Sequence, residues 1–90
     1  MRNIKLNGEF FATEIESKKM IVVYNYDYFA PLAVVDTENE VIYFKGASCE
    51  DLGVDVLTEL YRVFDIGYYH VTDVASREFN EMIKDRKSVV

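Results

Sequence analysis

The sequence has little of what most small functional sites are made from: one cysteine, one histidine, one proline, no tryptophan and four glycines. A single cysteine cannot close an internal disulfide, in keeping with a reducing compartment. One cysteine and one histidine also cannot build a zinc site of the usual ligand type, and no glycine-rich phosphate loop is present. The longest apolar runs, 20–24 and 29–35, are far too short to cross a bilayer. Arg2 and Lys5 lead straight into Asn7-Gly8 instead of an apolar secretory segment, so a cytoplasmic protein is expected. The lone proline leaves little room for a stiff linker. The 90 residues suffice for one globular domain, 1–90, with an ordinary core.

Bases are the other shortage. Lys and Arg number 10 against 16 Asp and Glu, a net charge of −6. All of that excess lies in 36–65, where Asp36, Glu38, Glu40, Glu50, Asp51, Asp55, Glu59 and Asp65 meet only Lys45 and Arg62. Direct binding to nucleic acid needs clustered Lys and Arg and is disfavoured. A basic protein is the more natural partner, and no membrane partner is expected.

Among what is present, residues 48–66 organise the chain. Ser48 with Asp51 three residues later resembles a capping box and predicts a helix from about Cys49. Leu52, Val56, Leu60, Val63 and Phe64 fall on one arc, the expected buried face. Asp51, Asp55, Thr58, Arg62 and Asp65 fall opposite, with Glu59 at the edge and Val54 and Tyr61 as apolar neighbours. Asp51, Asp55 and Glu59 follow one another at four-residue spacing, a repulsive pattern that costs a few tenths of a kcal/mol per pair. They are read either as a solvated face or as carboxylates presented to a basic partner.

Elsewhere, Asn7-Gly8 suits a two-residue hairpin turn between short N-terminal strands. Residues 14–19 are polar and turn-like, and 20–26 read as a strand with Tyr24, Tyr26 and Tyr28 on one face. Pro31 marks an interruption or a strand start. Residues 32–35 and 41–44 pair across the polar connection 36–40. Gly67 is placed to end the central helix in a left-handed conformation. Residues 68–71 are a short strand or a connection, and Thr72 or Asp73 caps a second helix with Ala75, Phe79, Met82 and Ile83 as its apolar stripe. The last residues, 87–90, are expected to fray. The expected fold is α+β: an antiparallel sheet of four to five mostly N-terminal strands, covered on one face by two C-terminal helices. A crossover unit is disfavoured, because only one helix could link two strands.

Cys49 with His70 as base and Asp73 as orienting group is the one arrangement suggestive of catalysis. Glu50 and Asp51 beside the thiol work against its ionisation, and a non-enzymatic protein is expected. Asp36, Glu38 and Glu40 superficially resemble a calcium loop but lack its central glycine and terminal glutamate, so no metal or cofactor is expected. Seven tyrosines are many for this length. Tyr28, Tyr61, Tyr68 and Tyr69 are candidate interface anchors.

The leading functional expectation is a small acidic binding protein that occupies a basic, nucleic-acid-binding site on a partner through Asp36, Glu38, Glu40, Asp51, Val54, Asp55, Glu59 and Tyr61. In its strong form this is nucleic-acid mimicry. In size, acidity and lack of a catalytic motif the chain resembles the small inhibitors that bacteriophages encode against restriction, CRISPR or host transcription proteins. That likeness is compositional and transfers no functional residue. The alternative is a structural or regulatory subunit that forms a homodimer, or pairs with another chain, through a tyrosine-bearing sheet face.

Overall fold

The structure is a computed structural model, which describes residues 2–26, 30–46 and 48–88, with side chains described except for 48–51 and 84–88. Among the described residues, six strands form one sheet in chain order. They are β1 (Arg2–Lys5), β2 (Phe10–Ile15), β3 (Met20–Asn25), β4 (Ala30–Asp36), β5 (Val41–Lys45) and β6 (His70–Val74). Helix α1 (Ser48–Phe64) links β5 to β6, and α2 (Ser76–Ser88) follows β6. The first five strands form an antiparallel meander, whereas β6 runs parallel to β5 with Ile42 opposite Val71. The α+β class and the C-terminal helices agree with expectation. The sheet has six strands instead of four or five, and β5–α1–β6 is the crossover that the sequence reading disfavoured.

The two helices lie on opposite faces, which corrects the expectation of one covered face. One face carries Leu6, Phe10, Ala12, Ile21, Val23, Ala33, Val35, Ile42 and Phe44 against Val56 and Leu60 of α1. The other carries Met20, Val22 and Val34 against Phe79 and Ile83 of α2. Successive strand residues point to opposite faces. A run such as Met20-Ile21-Val22-Val23, buried at every position, therefore needs cover on both sides.

The turns set the register. Leu6 N–H bonds the Phe10 carbonyl at 3.1 Å, leaving Asn7, Gly8 and Glu9 as a three-residue loop in which Gly8 takes the positive φ of 79°. The expected two-residue turn is thus one residue longer, since Asn7 does not adopt the left-handed conformation that tight form requires. Strand β2 extends to Ile15, and a 3₁₀ turn, Glu16–Lys18, delivers the chain to β3. Pro31 lies inside β4, beside a bulge where Val23 pairs with Ala33 but Tyr24 with Pro31.

Helix α1 ends at Phe64, and Asp65, not Gly67, takes the left-handed conformation, with φ 57°. The strand after it is His70–Val74, so Thr72 and Asp73 are strand residues and do not cap α2. The β-branched Val71, Thr72 and Val74 prevail there over the capping signal. The Ser48 cap, the roles of Cys49, Glu50 and Asp51, the position of Tyr28 and the fraying of 87–90 fall on side chains or residues outside those described.

Candidate protein-interaction site

The buried arc of α1 is the one its spacing predicts: Val56 and Leu60 are fully buried, with Leu52, Val63 and Phe64 packed beside them. The opposite side is unusual for a solvated helix. Val54 is 78% exposed and Tyr61 61%, seven residues apart and therefore on one side of the helix. Thr58 lies between them with its hydroxyl turned back to donate to the Val54 carbonyl at 2.7 Å.

This stripe is bordered by two clefts. Toward the sheet edge, a cleft of about 350 Å³ is floored by Ile42 and Val71, walled by Leu57, Thr58 and Tyr61, and closed by Ile66, Gly67 and Tyr69. Toward the N-terminal hairpin, one of about 280 Å³ is lined by Asn7, Gly8, Phe10, Asp55, Thr58 and Glu59. Gly67 matters to the first cleft through space and not through φ, because a Cβ there would stand 2.6 Å from Tyr61 Cδ2.

The acidic residues of the sequence prediction divide into two kinds. Asp36 is only 3% exposed. Its Oδ1 accepts the backbone N–H groups of Glu38 and Asn39, both at 3.0 Å, and its Oδ2 accepts Asn39 Nδ2 at 2.9 Å. Glu59 is 6% exposed, with Oε1 accepting Asn7 N–H at 2.7 Å and Arg62 Nη2 at 2.7 Å. The Arg62 hydrogen bond, then the Asn7 backbone N–H, hold its carboxyl below the usual glutamate range despite the desolvation that opposes them. Glu59 is covered but shallow, a clasp between α1 and the hairpin. Neither carboxylate belongs to the open surface.

Glu38, Glu40 and Asp55 are exposed, as are Val54 and Tyr61. Asp55 borders the hairpin cleft, whereas Glu40 lies near Tyr68, beyond the other end of α1. The charge of Glu40 and its nearness to the hydroxyl raise the Tyr68 pKa, with burial, Tyr69 and last Asp65 contributing. Tyr69 is raised first by burial, then by Glu40 and Asp36. Tyr68 is 74% exposed and stands edge-on to Tyr69, with ring centroids 5.1 Å apart. The predicted carboxylates therefore do not form one continuous row among the described residues. Of them, Asp55 flanks an apolar and aromatic stripe and Glu40 lies at its end, where Asp65, outside the predicted set, joins it.

The sequence reading missed the cleft-lining Leu57, Ile66 and Val71. Leu57, at the edge of the buried arc and packed against the core, and the exposed Tyr61 are an i,i+4 apolar pair, the signal that could have found them. His70 and Asp73 are three apart on β6 and so project to opposite faces, which does not provide the orienting geometry considered for them. No group of three or more His, Cys, Asp or Glu able to hold a metal ion occurs among the described residues. No described helix is long and apolar enough to cross a membrane. In comparisons with family models, curated proteins and solved structures, nothing matches this chain.

Proposed function

We propose that the protein is a non-enzymatic binding module that docks a basic partner protein against the outer side of α1 and the cleft beside β6. The observation that carries this reading is the exposure of Val54, Tyr61 and Tyr68 on a surface edged by Asp55, Glu40 and Asp65. Large apolar and aromatic groups grouped this way supply the contact area of a docking surface. The surrounding charge favours encounter with a basic partner and opposes an acidic one. Nucleic-acid mimicry, with phage-type inhibition as its compositional likeness, is the narrower form of the same reading. It rests on Glu38, Glu40 and Asp55, since Asp36 and Glu59 are held internally.

A second reading has its own observation. On the α2 side, Phe11 stacks on Tyr24 at 5.0 Å and meets Tyr26 edge-on at 5.9 Å, with Lys5 Nζ 5.9 Å from the Tyr26 ring centroid. Tyr26 is half-exposed, giving the self-pairing alternative a sheet face to use.

The experiment is affinity capture from a lysate of the encoding organism at low and high salt. Wild type is compared with Val54→Ser/Tyr61→Ser, with Asp55→Lys, and with Tyr26→Ser. Loss of a basic partner with the first two variants, and weaker capture at high salt, supports the α1 surface. Loss with Tyr26→Ser alone supports the sheet face.

A further inference from the structure

Beside the exposed stripe, the sheet itself ends in an open strand. Strand β6 is terminal in the sheet, and its backbone divides cleanly. His70 N–H bonds the Glu40 carbonyl at 3.0 Å and the Val74 carbonyl accepts Gly46 N–H at 2.7 Å, so His70, Thr72 and Val74 face β5. The N–H and C=O groups of Val71 and Asp73, in alternate register, therefore point away from the sheet. No described strand lies beyond them.

Such an edge attracts a further strand unless charge, proline or a bulge blocks it. The other edge, β1, carries Arg2 and Lys5. Strand β6, HVTDV, has no lysine, arginine or proline, and its one charged residue, Asp73, opposes an acidic strand but admits a basic one. Its side chains toward α1 are Val71, which also floors the cleft, and Asp73.

We propose that β6 receives an extended segment of the basic partner as a seventh strand. A residue opposite Val71 shares its face and enters the cleft among Leu57, Tyr61 and Tyr69, and a residue two positions away meets Asp73. The segment therefore carries an apolar residue and a Lys or Arg separated by one position. Backbone bonds to Val71 and Asp73 hold it, and the pocket and the acid select it. A second copy of this chain is a poorer occupant. Antiparallel pairing of β6 with β6 would close but offers no base to either Asp73, whereas the basic β1 would bind β6 head to tail, a contact that does not close, and its Arg2 is already paired with Glu14. The inference rests on the proposed docking surface and specifies how that surface takes its partner.

The test uses a capped peptide, Thr-Lys-Thr-Val-Thr-Lys-Thr, which sets valine against Val71 and lysine against Asp73 in either direction. Amide hydrogen exchange is followed by NMR on the intact protein. At saturating peptide, exchange at Val71 and Asp73 is expected to slow by about tenfold or more while that of Thr72, already bonded to β5, changes little. The fully N-methylated peptide, which keeps the charges but loses the donors, is expected not to bind. Val71→Pro removes an outward N–H without touching the β5 ladder and is expected to weaken binding by about tenfold.

Binding that perturbs Val54 and Tyr61 but leaves the two amides unprotected overturns the added strand and leaves the docking surface standing. Absence of binding at millimolar peptide counts against both. Concentration-dependent protection of Val71 and Asp73 without peptide makes a second copy the occupant and overturns the partner proposed here.

Discussion

Gly67 lies directly beneath the ring of Tyr61, so close that a methyl group on its Cα would fall 2.6 Å from Cδ2 and 2.7 Å from Cε2. The contact fixes one wall of the cleft beside β6, because Tyr61 is otherwise largely in solvent. A displaced ring changes the surface more than the fold.

Gly67→Ala is therefore expected to swing Tyr61 away while altering unfolding free energy by less than about 1 kcal/mol, as for other exposed sites. The check is urea unfolding together with the ring-current shifts of the Leu57 and Val71 methyl groups, which should move. In Tyr61→Ala the additional Gly67→Ala change should have no further effect, giving a measurable coupling between the two sites.

Glu59 predicts an acid-sensitive clasp. Its folded pKa is lowered, so its contribution is present above the ordinary glutamate value and is lost as pH falls through that range to the folded value. Its shallow position keeps the contribution near about 1 kcal/mol. Glu59→Gln should retain an acceptor for Asn7 and flatten this part of the pH dependence. Glu59→Ala, which strands the Asn7 N–H, should cost about 1–2 kcal/mol. Denaturant midpoints at neutral pH and in acid distinguish these outcomes.

Tyr68 predicts an effect at the opposite end of the scale. Its pKa is raised chiefly by the charge of Glu40, so the contribution of the neutral hydroxyl is fully present below the ordinary tyrosine value and is lost as pH rises through the elevated one. Glu40→Gln should shift Tyr68 downward in a spectrophotometric or NMR titration. A similar change at Glu38, whose carboxylate is not among the causes of the shift, should leave it in place.

Local spacing made much of α1 and the β4–β5 hairpin legible, since both depend on neighbours in sequence. Two-sided cover was harder to see. The alternation of Met20, Val22 and Tyr24 against Ile21 and Val23 separates the faces, but an unbroken apolar run is what reports that both are buried. The inward turn of Glu59 had only a faint local signal, its place at the edge of the acidic side with Arg62 three residues on, because its other partner, Asn7, is 52 residues away. Asp36 did have one: an Asp opening a Thr-Glu-Asn turn commonly accepts the following backbone N–H groups. Strand β6 was obscured because Thr72-Asp73 is equally good capping chemistry, and the decision lay in pairing with β5.

The most direct measurement of the central claim is photo-crosslinking in lysate of the encoding organism, with a photoreactive phenylalanine analogue placed in turn at Tyr61 and at Tyr26. The account predicts a salt-sensitive adduct to a basic protein from position 61 and none to that protein from position 26. Adducts confined to position 26, or a self-adduct there alone, would contradict it and place the working surface on the aromatic sheet face.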